Sequence, residues 1–315
     1  MTSPTPLVEL EPVAARLLDR HLATAKEWFP HDYVPWERGR SFTDAPWQPE
    51  DSRLSAVART ALELNLLTED NLPYYHLAIW GLFGGEGAWG EWARRWTAEE
   101  ARHSIAIRDY LLVTRAVDPV ALERERMEHM SRGFYPRRIP GPLDGLVYVT
   151  LQELATRIAH RNTGAITGDP LAERLLVRIA LDENLHFAFY RDVAAAAIQL
   201  DPSAMMLAMR RQVLGFAMPG LELRSFRDRA ITIAAAGIYD LRIHHDQVLC
   251  PVLLKQWRLA EVRGLSDEAE RARDEVLAFL DDLGRAHAPI EEERASAQRG
   301  APGPADGLTR RAAVT

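Results

Sequence analysis

Two histidines of this 315-residue chain stand three positions after a glutamate, as Glu100/His103 and Glu183/His186. In a helix that spacing puts both side chains on one face, where they can share a metal ion. So short a pattern recurs by accident, so its placement decides its weight. The inward stripe around the second pair reads Leu176, Ile179, Glu183, His186, Tyr190. Around the first it reads Trp92, Trp96, Glu100, His103, Ile107, Tyr110. Both pairs interrupt an apolar stripe, whereas a structural glutamate normally sits on the solvated face. Two more glutamates do the same on other segments. Glu153 lies in the stripe Leu146, Val149, Glu153, Thr156, and Glu69 follows Leu62 and Leu66.

The set is two lone glutamates and two Glu-x-x-His pairs, one contribution from each of four helices. Ferritin-like di-iron and di-manganese carboxylate bundles have this composition. Charge explains why metal is required. Four buried carboxylates facing one another are very costly to ionise, and protonation relieves them only in part. Two divalent cations neutralise the set. Carboxylate and imidazole donors suit iron or manganese better than zinc.

The elements that must position these residues are helical. Apolar periodicity predicts helices over 13–29, 52–68 running on toward 83, 90–117, 120–132, 143–166, 170–200, 202–214, 224–257 and 266–283. Within 224–257, breaks are expected at Gly237 and Pro251. Asp169-Pro170 and Asp201-Pro202 each supply an N-cap followed by proline at the first helical position. The ring of Pro73 would clash with the carbonyl of residue 69, so a kink is expected at Glu69. No alternating strand pattern, solenoid repeat or phosphate-binding glycine loop is present. The reading is an all-α chain: a ferritin-like four-helix bundle core with additional packed helices, in a single domain over 1–288. The polar, Gly/Pro-rich tail over 289–315 is expected to be disordered.

At these same residues the sequence resembles the soluble acyl-[acyl-carrier-protein] desaturases, the plant stearoyl type and especially its actinobacterial relatives. Thr68-Glu69-Asp-Asn-Leu-Pro-Tyr-Tyr75 resembles the family's Thr-Glu-Glu-Ala-Leu-Pro-Thr-Tyr. Trp96-Thr-Ala-Glu-Glu-Ala-Arg-His103 is similar to Trp-Thr-Ala-Glu-Glu-Asn-Arg-His. Gln152-Glu153-Leu-Ala-Thr156, with Asn162-Thr163 after it, resembles Gln-Glu-Arg-Ala-Thr. Asp182-Glu183-Asn-Leu-His186 takes the place of Asp-Glu-Lys-Arg-His, and Trp47-Gln48-Pro49 and Met218-Pro219 also recur. Leu154 and Leu185 replace arginines of the plant type, so regiochemistry does not carry over.

The resemblance implies two iron ions ligated by Glu69, Glu100, His103, Glu153, Glu183 and His186, with O₂ as co-substrate. It implies a homodimer, an acyl chain presented on acyl-carrier protein, and a ferredoxin-type electron donor. Thr156 is then expected near the oxygen-binding side, and Trp47, Asp182 and His103 as a line from surface to iron. Ala78, Leu82, Gly145, Leu146 and Tyr148 are expected to line an acyl tunnel. The bland alternatives are a Thr156 bonded to its own helix, a packing role for Trp47, an Asp182 that only orients a histidine, and core packing for the apolar set. Rival functions are oxygen insertion at the same centre, or a non-catalytic carrier-binding paralogue.

Composition sets the outer limits. The single cysteine, Cys250, forbids an internal disulfide and a cysteine-rich metal site. The longest apolar run, 230–238, is far too short to span a membrane, and no secretory signal opens the chain. A cytoplasmic protein is expected. The net charge of −7 argues against a nucleic-acid binder. Carrier proteins are acidic, so receiving one requires a local basic patch. Candidates are Arg132, Arg137 and Arg138, and the run Arg210, Arg211, Arg224, Arg227 and Arg229.

Overall fold

The computed structural model describes residues 6–133, 139–217, 223 and 225–300, with no side chains described over 287–300. No strand occurs among the described residues. The helices are α1 (Pro6–Thr24), α2 (Ala56–Glu69), α3 (Leu72–Phe83), α4 (Gly87–Val113), α5 (Pro119–Arg132) and α6 (Pro142–Ile166). They continue with α7 (Pro170–Leu200), α8 (Pro202–Leu214), α9 (Phe226–Ala235), α10 (Leu241–Ile243) and α11 (Asp267–Gly300). Past α10 the chain winds more widely, as a π-helix over His244–Gln256.

Local chemistry explains the boundaries. Ser55, Asp118, Asp169 and Asp201 each cap a helix through the side chain, and Pro119, Pro170 and Pro202 follow the three aspartates. The first helix ends at Thr24, five residues short of the expected end. Residues 25–29 therefore leave the helix, and Trp28 is carried on a loop. The expected kink at Glu69 is a full break. Residues 70 and 71 turn, and Pro73 sits in the first turn of α3, where its missing N–H is no loss. The break at Gly237 occurs, at φ +70°. Pro251 does not break its helix; the wider π winding accommodates it. The last helix runs past 283 to Gly300, so the segment expected to be unstructured from 289 begins in helix. Residues 301–315 lie outside the described residues, as do Met218 and Pro219.

The bundle is formed by α2, α4, α6 and α7: α6 packs along α7, α2 along α4, and the pairs close on each other through α2–α6 and α4–α7. Helix α1 lies against α4 and α7, while α8 covers α6 from outside and α11 packs on α8. The apolar interior falls into two large parts. One holds Trp92, Trp96, Leu151, Tyr190 and Val193; the other holds Leu62, Leu66, Ile107, Tyr110, Leu176 and Ile179. On α4 and α7 the changeover occurs at Glu99–His103 and Asp182–His186. A polar layer thus divides the core where the sequence placed its carboxylates.

Helix α4 starts under the turn that follows α3. A Cβ on Gly90 would lie 2.1 Å from the carbonyl oxygen of Gly85, whereas one on Gly81 meets nothing within 4 Å. Gly90→Ala should therefore destabilise by about 2–3 kcal/mol, while Gly81→Ala, in an exposed helical position, should stabilise by up to about 1 kcal/mol. Urea denaturation of the two variants checks this pair of opposite signs.

Candidate metal centre

Helix α2 delivers Glu69 from its last turn; Glu100 and His103 come from the middle of α4, Glu153 from α6, and Glu183 and His186 from α7. All six are buried. They form two quartets that could each hold a metal ion: Glu69, Glu100, His103 and Glu183, and Glu100, Glu153, Glu183 and His186. Within each quartet one donor atom per residue lies within 4.8 Å of the others. Glu100 and Glu183 belong to both, so the geometry is that of two adjacent sites sharing two carboxylates. His103 Nδ1 lies 3.5, 3.4 and 3.4 Å from oxygens of Glu69, Glu100 and Glu183. His186 Nδ1 lies 2.8 and 3.6 Å from Glu100 and Glu153.

The electrostatics show why the arrangement demands cations. Burial pushes the Glu183 carboxyl well up, and the charges of Glu100, Glu153 and Glu69 push it further. Glu100 is also raised by burial, but His103 and His186 overcome that and bring it well below its ordinary range. Burial alone would depress both histidines; the surrounding carboxylates instead raise them strongly. Neighbouring like charges have split the set apart. Glu100 Oε1, Glu153 Oε2, both Glu183 oxygens and both Nδ1 atoms are buried without hydrogen-bond partners. Six unpartnered donor atoms converging in one layer are what two divalent ions would satisfy. The donors, carboxylate and imidazole, fit iron or manganese.

The outer partners form a crossed pattern. Asp182, just before Glu183, lies 3.6 Å from Nε2 of His103 on the other motif. Glu99, just before Glu100, pairs at 3.0 Å with Nε2 of His186. Each carboxylate is thus placed to orient the imidazole of the opposite helix. Asp182 also accepts hydrogen bonds from Trp28 Nε1 (2.7 Å) and Arg102 (2.9 Å), and from Arg178. Glu99 is held by His21 at 2.9 Å and Arg95 at 2.5 Å. Trp96 Nε1 donates to Glu153 at 3.0 Å, and His160 meets Glu69 at 2.8 Å.

Trp47 is not part of this line. Its Nε1 donates to the backbone carbonyl of Arg115, and Trp28 occupies the position beside Asp182 expected of it. The only sequence signal for Glu99 was an acid directly ahead of each Glu-x-x-His; Trp28 and His21 carried none. His76 bonds Thr97 and does not reach the centre.

Beside the carboxylates lies a cavity of about 120 Å³, walled by Glu69, Glu100, Glu183, Gln152, Thr156 and apolar residues of α2, α6 and α9. A smaller one of about 30 Å³ adjoins it. Tyr75, Trp96 and Gln152 line both, and the smaller one is also walled by Ala78, Ile79 and Leu82 of α3. Ala78, Leu82 and Tyr148 line the smaller cavity, as expected. Gly145 and Leu146 line neither: Gly145 lets α6 approach Leu82 and Phe83, and Leu146 is wholly buried in the core. The Thr156 hydroxyl donates to the Gln152 carbonyl at 2.9 Å and accepts from the Gln152 amide. It bonds its own helix and faces the cavity as well.

With the geometry in hand, known proteins can be compared. The family profile described as fatty acid desaturase matches residues 6–302. The acyl-[acyl-carrier-protein] desaturase named DesA1 of Mycobacterium tuberculosis is 48% identical over 287 residues, covering 88% of this chain and 85% of that protein. The chain belongs to the acyl-[acyl-carrier-protein] desaturase family. The chloroplastic stearoyl-[acyl-carrier-protein] 9-desaturase 6 of Arabidopsis thaliana is 30% identical, over 72% of this chain and 62% of that one. The X-ray structure of the desaturase named DesA2 from Mycobacterium tuberculosis H37Rv matches with TM-score 0.68 and 30% identity, covering 85% of this chain and 98% of that one. The ferritin-like all-helical fold expected from the sequence is the fold of this desaturase.

For a member of this desaturase family the basic surface matters, and it is thinner than the sequence promised. Arg132, Arg210, Arg211 and Arg229 are paired with Glu128, Glu275, Asp144 and Glu125. Arg227 is exposed, while Arg137, Arg138 and Arg224 lie outside the described residues. No described helix is long and apolar enough to cross a membrane.

Two outcomes follow. Elemental analysis of Glu183→Ala or Glu100→Ala should find both ions lost or strongly depleted, because each carboxylate serves both quartets. Glu69→Ala or Glu153→Ala should retain about one ion per chain. In the metal-free protein, burial raises the Asp182 carboxyl, but its hydrogen bond and attraction to His103, the charge of His186 and the Trp28 bond bring it down to about 2. A depressed carboxyl stabilises above its unfolded value near 3.8 and loses that contribution as pH falls through 2. Asp182→Asn should therefore lose about 2 kcal/mol at neutral pH, and the deficit should shrink on acidification below pH 4. Thermal melts of both metal-free proteins across this range test it.

Proposed function

We propose that this protein introduces a double bond into a fatty acyl chain carried on acyl-carrier protein, with O₂ as oxidant and electrons from a ferredoxin-type donor. Glu69, Glu100, His103, Glu153, Glu183 and His186 would hold two iron ions, Glu100 and Glu183 between them. The observation that carries the reading is the pair of buried quartets opening on an apolar cavity. When bound, iron would supply the activation of O₂ that removing hydrogen from an unactivated CH₂–CH₂ unit requires.

The chain's own residues do the rest. The two apolar cavities receive the acyl chain beside the carboxylates, where it excludes water from them. Ala78, Leu82 and Tyr148 contact the part of the chain beyond the centre. Thr156 Oγ1 presents a hydroxyl to the cavity, held in place by Gln152. Trp28 donates a hydrogen bond to Asp182, which lies 3.6 Å from His103 Nε2, and electrons enter along this line from the loop after α1. Asp182 and Glu99 keep the two imidazoles turned with Nδ1 toward the metal. The working unit is a cytoplasmic homodimer.

The test is the iron-loaded protein with acyl-carrier substrates of several chain lengths, ferredoxin, its reductase, NADPH and O₂. The expected product is lighter by two hydrogens than the substrate. A product heavier by one oxygen would assign the centre to oxygen insertion, and carrier binding without turnover to a non-catalytic role. Trp28→Phe should slow turnover with donor-supplied electrons while leaving the iron content unchanged; Trp47→Phe should not slow it.

A further inference from the structure

A second concavity, of about 340 Å³, lies at the end of the bundle where α4 finishes and α7 begins, about 15 Å along α4 from His103. Its wall includes Arg38, Arg40, Arg53 and Arg115, against the acids Asp51 and Asp169. Leu54, Val113 and Ala116 supply an apolar side.

The acids are already engaged. Asp51 takes two bonds from Arg115, at 3.0 and 2.9 Å, and reaches Arg40 at 3.4 Å. Asp169 accepts from the Tyr110 hydroxyl at 2.6 Å and caps α7. Against four guanidinium groups these two carboxylates leave an excess of two positive charges in a concave site, on a chain whose net charge is −7. A concavity focuses such a field. Among the described residues Arg38 pairs with the exposed Glu37 at 3.6 Å. The Arg115 side chain is 5% exposed, yet its Nη1 is buried with no hydrogen-bond partner. A buried unpartnered guanidinium nitrogen is costly unless an acceptor completes it.

We propose that this concavity binds the phosphate group of a small phosphorylated molecule, separately from the carboxylate layer. Arginine forks match the oxygens of a phosphate, and the volume admits a compact organic group against Leu54 and Val113. Binding here clamps the loop over 38–53 to the end of α4, the helix that carries Glu100 and His103.

Calorimetric titration of the full-length, metal-loaded protein with inorganic phosphate and with adenosine 5′-monophosphate tests the site, with sodium chloride of equal ionic strength as control. Saturable binding of both is expected, tighter for the nucleotide. Arg38→Ala/Arg53→Ala, which removes two exposed side chains from the rim, should weaken phosphate at least about tenfold. Its metal content and melting temperature should not change. Arg258→Ala, on a distant exposed ion pair, should leave binding intact. Absence of saturable phosphate binding up to millimolar concentrations would overturn the proposal. So would a rim variant that binds as tightly as the parent.

Discussion

Four carboxylates meet across the middle of this bundle, between two apolar halves of its core. Left alone they repel in a medium that screens them poorly. Two buried histidines offset the charge only in part, and several donor atoms stay without partners. The layer therefore sets the terms for everything else. The helices must be long enough to reach past it on both sides, and their caps and crossings must hold the donor atoms within a few ångströms. The interior must also leave room beside it for a substrate.

The chain meets these terms by doubling each control. Glu99 and Asp182 precede Glu100 and Glu183 by one residue, which turns them away from the centre and toward the imidazole of the facing helix. Each Glu-x-x-His segment thus supplies an inward carboxylate, an inward histidine and an outer acid for its partner's histidine. The two halves are not alike. Asp182 is backed by Trp28 and two arginines, Glu99 by His21 and Arg95. One branch ends in an indole that can pass an electron, the other in an imidazole. That difference comes from the end of α1, which leaves Trp28 on the loop while His21 stays in the helix.

Helix periodicity made the metal-site candidates legible, because a charged residue inside an apolar stripe is visible without coordinates. The same logic located the caps at Asp169 and Asp201. It failed where contacts join residues far apart in sequence. Trp47 and Trp28 are both tryptophans in irregular segments before α2, and no local pattern distinguishes the one that reaches Asp182. Three of the arginines read as a basic patch are paired with acids from distant helices: Glu275 for Arg210, Asp144 for Arg211 and Glu125 for Arg229. Gly145 and Leu146 lie one helical turn from residues that line the cavity, and a small rotation of α6 decides which of them face it.

By itself the sequence determined the helical class, the caps at Asp169 and Asp201, and the inward placement of Glu69, Glu100, His103, Glu153, Glu183 and His186, since these follow from a period of 3.6 residues and from local hydrogen bonding. Only the tertiary structure decided that Glu100 and Glu183 are the shared pair. The same holds for the crossed pairing of Asp182 with His103 and of Glu99 with His186, and for the two cavities that meet at Tyr75 and Trp96 as common wall residues. Those facts depend on the relative rotation and depth of four packed helices. That is set by the sum of many side-chain contacts across the core and by no single stretch of chain.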